Sequence, residues 1–188
     1  MRVFSLLFSV LLFAQQPDKP ADSTTQNLVK LENVTISAIR ADINTPISFN
    51  NVEKKQIEIE NIGKDLPMVL KNLPSVVTTS DAGAGVGYTG IRIRGSDASR
   101  VNITINGFPF NDAESHGTYW VNLPDFVSSV EEIQVQRGVG TSTNGSGAFG
   151  ASININTENP SKNPFSSLSS SFGTFATFKN TLKFSTGI

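Results

Sequence analysis

The sequence predicts an α+β fold. It has a small mixed-sheet domain with short helices over residues 45–160, then one antiparallel hairpin over 161–188. Three observations lead there. Four stretches, Ile91–Gly95, Val101–Asn106, Glu132–Gly138 and Ala151–Thr157, alternate apolar and polar residues with the period of a strand. One short stretch, Asp65–Pro74, carries the period of a helix. After Pro160 the alternation lengthens and gathers Leu168 and Phe172, and then Phe178, Leu182 and Phe184, on shared faces. With 38% hydrophobic and 16% charged residues, the 188-residue chain has the composition of an ordinary folded domain, neither disordered nor a bundle of membrane helices.

The elements follow in chain order. Met1-Arg2 and the apolar run Val3–Phe13 give way abruptly to Gln15-Gln16-Pro17. This is the pattern of an export signal over residues 1–14, cleaved after Ala14, and it is too short for a permanent bilayer span. Residues 15–44 read as a flexible leader, with Pro17–Lys30 polar and rich in Thr and Pro. Within it, Leu31–Ala38 is β-prone and isolated, fit either to pair with another protein's sheet edge or to serve as the domain's first strand. Asn51–Asn61 has mixed charges and reads as a short helix or irregular chain. Leu66, Val69, Leu70 and Leu73 make one helical face, with Asp65 placed to cap, Pro67 tolerated in the first turn and Pro74 ending the helix. Ser80–Gly90, with four glycines, reads as an exposed loop. Asn106-Gly107 marks a tight turn. Pro109–Asn122 is a long polar-aromatic loop, Leu123–Val130 has room for a helical turn, and Gly138–Gly150 is rich in Gly, Ser and Thr. In the final stretch Leu168, Ser170 and Phe172 share a face, as do Phe178, Asn180, Leu182 and Phe184 opposite Lys179, Thr181 and Lys183. A strand of about ten residues with such faces suits lipid on one side and water on the other. An amphipathic hairpin on a soluble domain has the same pattern.

Several function classes drop out. A net charge of −1 gives no field that favours nucleic acid. With no cysteine there is no disulfide, thiolate metal site, cysteine nucleophile or lipoprotein anchor. Gly145-x-Gly147-x-x-Gly150 matches the dinucleotide fingerprint in letters, but a strand follows where the phosphate-binding helix is needed, and no acidic residue stands about twenty positions on. His116 is the only histidine, and no Gly-x-Ser-x-Gly elbow accompanies it, so no catalytic residues, enzyme activity or cofactor are expected. Asp112, Glu114 and His116 would share a side in an extended segment, yet a solvated loop is the simpler reading and no metal site is expected. Tyr119 and Trp120 are loop aromatics, suited to binding a ligand or to packing the loop on its own domain. Arg92, Arg94, Arg100 and Arg137 lie in or beside strands that read as buried, which demands carboxylate partners: Asp97, Asp112, Glu131 and Glu132, or groups outside the chain.

At these residues the sequence resembles the N-terminal plug domain of the TonB-dependent outer-membrane receptors. Ile91–Gly95 and Arg100–Pro109 resemble the family's arginine-glycine strand and the strand ending in Asp/Asn-Gly-x-Pro. Val130–Gly138 resembles its second arginine-glycine strand, with Gln136 where Leu is frequent, and Gly145–Asn156 its closing segment. Asp65–Val77 is similar to the plug helix, and Asn111–Trp120 resembles receptors of Bacteroidetes-type bacteria. The motifs occur in family order and cover residues 31–188. The resemblance implies a plug domain over 45–160 and, over 161–188, the first hairpin of an incomplete transmembrane β-barrel of roughly 22 strands whose lumen the plug fills. It implies uptake of a scarce nutrient, a ferric siderophore, other metal chelate or cobalamin, with TonB as partner on the periplasmic side. Leu31, Val34, Thr35, Ile36, Ser37 and Ala38 resemble the TonB box. Arg94 and Arg137 would pair with barrel glutamates. Asp112, Glu114, His116, Tyr119 and Trp120 would lie on substrate-facing loops, with Ser80–Gly90 a second such loop. Two strands cannot close a barrel, and an open edge in lipid leaves backbone groups unpaired. The chain therefore reads as a fragment of a longer receptor without an added N-terminal domain. The rival reading is a soluble periplasmic binding module.

Overall fold

The computed structural model describes residues 40–140, 144, 147–174 and 176–188. The export signal and Leu31–Ala38 lie outside them. Nine strands and two helices run in the order β1 (Ser48–Glu53), α1 (Lys54–Glu60), α2 (Leu66–Val69), β2 (Val76–Ser80), β3 (Thr89–Ile93), β4 (Val101–Ile105), β5 (Phe108–Pro109), β6 (Val130–Arg137), β7 (Ala151–Thr157), β8 (Phe165–Phe172) and β9 (Phe178–Ser185) among the described residues. Short 3-10 turns stand at Ala98–Arg100, Trp120–Asn122 and Phe126–Ser129. None of the described helices is long and apolar enough to cross a membrane, which leaves crossing by strands open.

The main sheet has the order β1-β6-β7-β4-β5, with β4 and β7 parallel and the other neighbours antiparallel. It is mixed, as the alternation predicts. Register explains its two faces. Val52, Ile133, Ile155 and Ile105 stand in one cross-strand row, and Val135, Ile153 and Ile103 in the next. These rows meet Ile57, Leu66, Val69, Leu70, Ile91 and Ile93 in a single apolar core. The opposite face carries amides and hydroxyls: Asn51, Gln134, Asn154 and Thr104 in one row, Gln136, Ser152 and Asn102 in the other. Gln134, Gln136, Ser152, Asn154 and Thr104 are nevertheless buried.

Buried amides need partners. The Gln134 side chain accepts from the Ala41 backbone N–H at 2.8 Å and donates to the Ala41 carbonyl at 2.9 Å and to Asn51 Oδ1 at 2.8 Å. Gln136 donates to Gln134 Oε1 and accepts from Asn144 Nδ2, while Thr104 donates to Asn154. Gln136, where Leu would be frequent, thus has a physical reason: its side chain belongs to a polar layer that also bonds Asn144.

Some local expectations are corrected. The helix over Asp65–Pro74 shrinks to four residues, although Leu66, Val69 and Leu70 are buried as their spacing predicts. Asp65 makes no side-chain cap; its Oδ2 accepts from the Thr89 hydroxyl at 2.8 Å instead. Asn51–Asn61 is β1 passing directly into α1. Both ends of Ser80–Gly90 belong to β2 and β3, which form a separate antiparallel pair. Asn106 and Gly107 both have positive φ, 51° and 85°, and link β4 to β5 by the expected tight turn.

Candidate functional site

Register defines two ends of the sheet. Ser48, Arg137, Ala151 and Val101 line up at one, which we call the apical end. Glu53, Glu132 and Asn156 line up at the other, the basal end. Arg40, where the described chain begins, binds Glu132 through both guanidinium Nη atoms, and Lys54 pairs with Glu131 and Glu158. The described N-terminal segment and the chain leading to the hairpin therefore leave the domain at its basal end.

At the apical end, Ser99, Arg100, His116, Gly147 and Phe149 line an open cavity of about 580 Å³. The parallel pairing of β4 with β7 brings 99–100 beside 147–149, and the Gly150 N–H donates to the Arg100 carbonyl. A Cβ at Gly150 would stand 2.4 Å from the Ser96 Cβ, so only glycine permits this approach. Asn111 completes the end: its Oδ1 accepts from the Ile103 N–H, and its Nδ2 donates to the Val101 and His116 carbonyls. The Asp112 carboxylate folds back onto the Ser115 N–H and hydroxyl and the Glu114 N–H. Those bonds hold its carboxyl below the ordinary 3.8. Asp97 behaves alike, held low by the Ser99 hydroxyl and N–H and by the charges of Arg100 and Arg92.

Arg94 and Arg137 converge at the same end. A Cβ built at Gly138 would lie 3.0 Å from Arg94 Nη1, and the Arg137 guanidinium donates to Ser48 Oγ and the Pro74 carbonyl. Neither makes an ion pair among the described residues. The expected burial of the four arginines is corrected: Arg92, Arg94 and Arg100 are exposed and Arg137 is half-buried. Glu132 and Glu131 serve Arg40 and Lys54 instead.

The loop residues divide. Asp112, Glu114, His116 and Tyr119 are exposed, whereas Trp120 is a correction, 2% exposed inside the core, so the packing alternative applies to it. Asp112, Glu114 and His116 do not share the side of an extended segment, because the chain turns there and His116 has φ 55°. Arg100 and Phe149 were not singled out as a pair by sequence; only the long-range β4–β7 register brings them together.

The β8–β9 hairpin is two-faced. Lys179 Nζ donates to Asn61 Oδ1, Asp125 Oδ1 and Ser128 Oγ at 2.9, 2.5 and 2.8 Å, and Lys183 Nζ to Glu158 at 2.6 Å. Ser167, Ser169 and Thr181 line the gap between the hairpin and α1. Leu168, Phe172, Phe178, Leu182 and Phe184 point away and are exposed. Strand β9 has eight residues rather than about ten.

Residues 41–152 match the model of the TonB-dependent receptor plug domain. Among curated proteins, the chain is 29% identical over 153 residues to a vitamin B12 transporter of Vibrio vulnificus, covering 81% of this chain and 23% of that protein. It is 25% identical over 169 residues to a probable TonB-dependent siderophore receptor of Acinetobacter baumannii, covering 83% and 22%. The chain therefore spans about a quarter of the length of these relatives. Among solved structures, the FpvAI–pyocin S2 complex superposes with a TM-score of 0.60 at 17% identity, over 75% of this chain and 18% of that one. The ferric yersiniabactin uptake receptor FyuA of Yersinia pestis gives 0.56 at 16%, over 73% and 21%; at these identities the likeness concerns the fold. The mixed sheet, the paired arginine-glycine turns and a family match over more than half of its length make this chain a member of the TonB-dependent receptor plug domain family.

Proposed function

We propose that the chain is the plug and first wall strands of an outer-membrane active-transport receptor, which takes up a scarce nutrient, a ferric siderophore, other metal chelate or cobalamin. The two-faced hairpin carries this reading. Its lysine face is fixed on the plug and its Phe and Leu face is bare, the arrangement needed where water and protein lie on one side and lipid on the other. A soluble module has no use for a row of exposed Phe and Leu. The names of the relatives, a vitamin B12 transporter and a siderophore receptor, support the substrate classes.

In this reading residues 1–14 direct export and residues 45–160 form the plug. Leu31, Val34, Thr35, Ile36, Ser37 and Ala38 form the box that TonB pulls from the periplasm. That pull suits a chain leaving at the basal end, where Arg40 sits on Glu132. Arg94 and Arg137, free of carboxylates among the described residues, take theirs from the barrel wall. Asp112, Glu114, His116 and Tyr119 face the substrate side with the apical cavity. The test is uptake by the complete receptor in cells. Thr35→Pro abolishes uptake and leaves surface binding intact; loss of binding as well would make 31–38 a plug strand. Uptake that persists without TonB would sink the active-transport reading.

A further inference from the structure

Asn106-Gly107 joins β4 to β5 at the basal end, beside the last residues of β7. An asparagine followed by glycine readily loses its side-chain amide, because no Cβ hinders the glycine nitrogen. That nitrogen attacks the asparagine Cγ, gives up its proton and closes a five-membered imide as ammonia leaves. Water then opens the ring to aspartate or isoaspartate. The sequence holds two such pairs, Asn106-Gly107 and Asn144-Gly145. Asn144 is 7% exposed and its Nδ2 donates to Gln136 Oε1, so burial protects it. Asn106 is exposed to water, and its protection has to come from geometry. Two features supply it. Asn106 and Gly107 have φ 51° and 85°, the signs of a type I′ turn. As the mirror of a type I turn, it gives Asn106 a ψ of about 30°, which carries the Gly107 nitrogen to the far side of Cα from the carboxamide. The carboxamide is also tied at both ends to one residue of β7. Its Oδ1 accepts from the Thr157 N–H at 2.9 Å, and its Nδ2 donates to Thr157 Oγ1 at 2.8 Å. The carbon to be attacked is held on β7 while the attacking nitrogen is turned away from it.

We propose that Asn106 is a latent deamidation site, guarded by Thr157 and converted only when the turn at the basal end opens. This holds whether or not the chain takes part in transport. The two products differ in consequence. Aspartate keeps an oxygen that accepts from the Thr157 N–H and loses the donor to Oγ1. Isoaspartate adds a methylene to the main chain and breaks the pairing of Ile105 with Phe108. Strand β5 has two residues and pairs only with β4 among the described residues, so it cannot outlast that change. Isoaspartate at 106 is thus a covalent record of opening at the basal end, and its formation bares the edge of β4.

The test incubates the full chain in detergent micelles at mildly alkaline pH, beside a urea-unfolded sample in which neither site is guarded. Peptide mass spectrometry follows the conversion of Asn106 and of Asn144, and an isoaspartate-specific methyltransferase counts isoaspartate. In the folded parent, Asn106 is expected to react at least about tenfold more slowly than in urea. Thr157→Val keeps the β-branched shape and the backbone N–H and removes Oγ1. It should quicken the reaction at Asn106 by about threefold to tenfold, the factor for one hydrogen bond, and leave Asn144 unchanged. Thr157→Ser, which restores the hydroxyl, should react as the parent does. The emission of buried Trp120 verifies that each variant folds. A folded parent that loses the Asn106 amide as fast as the urea sample would overturn the proposal. So would an unchanged rate in Thr157→Val, or a serine variant as fast as the valine one. Equal acceleration at Asn106 and Asn144 in Thr157→Val would also overturn it, since general loosening would then govern the reaction.

Discussion

Replacing Gln134 by Leu probes the polar layer at its centre. Leucine nearly preserves volume and removes every hydrogen bond of the amide. The Ala41 N–H and C=O, Asn51 Oδ1 and one Gln136 N–H then each lose a partner. A buried backbone group left without a partner costs about 1–3 kcal/mol, so the two Ala41 groups alone cost about 2–6 kcal/mol if the segment stays in place. It need not stay. Once Gln134 is gone, the Arg40–Glu132 pair, a partly exposed contact, is the side-chain bond that still ties residues 40–41 to β6 among the described residues. Release into water caps the loss, and the expected destabilisation is about 2–4 kcal/mol, a large share of a domain's usual 5–15 kcal/mol. Urea unfolding in micelles followed by Trp120 emission reads the total, and amide exchange at Ala41 reads the local release. A loss below about 0.5 kcal/mol with unchanged exchange at Ala41 would refute the reasoning.

Gly150→Ala should destabilise the domain by about 1–3 kcal/mol, because its Cβ meets the Ser96 Cβ at 2.4 Å, and Ser96→Gly should restore part of the loss in urea melts. Lys179→Met strips three acceptors of one donor, so amide exchange across β8 and β9 should quicken by about tenfold or more while β6 and β7 keep their protection. The depressed Asp112 carboxyl stabilises its turn above the ordinary value of 3.8, and that contribution is lost as pH falls through the still lower folded value. The Glu114 and Ser115 amide resonances should accordingly titrate with a midpoint below 3.8, and a midpoint at or above it would contradict the turn.

What sequence made legible was whatever repeats with a short period. Strands β4, β6 and β7 announce themselves by alternation, and Asn106-Gly107 by the positive φ its turn demands. The hairpin faces were readable for the same reason: Lys179 and Lys183 turn inward and Leu182 and Phe184 outward. Strand β1 was hidden because Ser-Phe-Asn-Asn-Val-Glu has one strongly buried residue, Val52, and its strand state is imposed by pairing with β6. The burial of Gln134 and Gln136 was not legible, since alternation tells polar from apolar and not covered from open. Trp120 in its polar loop was open to ligand contact or to packing on the domain, and the second applies because a large ring lowers its free energy most by entering the core. The apical cavity was illegible because it joins 99–100, 116 and 147–149, which only the parallel register assembles.

That the hairpin separates plug from lipid can be measured by single-cysteine labelling, since these 188 residues contribute no cysteine of their own to compete. Single cysteines at Thr181, Leu182, Lys183 and Phe184 of the complete receptor in bilayers would carry spin labels, and collision with dissolved oxygen and with a water-soluble nickel chelate would be recorded. An alternation of period two is expected: labels at 182 and 184 relax with oxygen, and labels at 181 and 183 are shielded from it. Labels at all four positions that respond to the nickel chelate, without alternation, would contradict it.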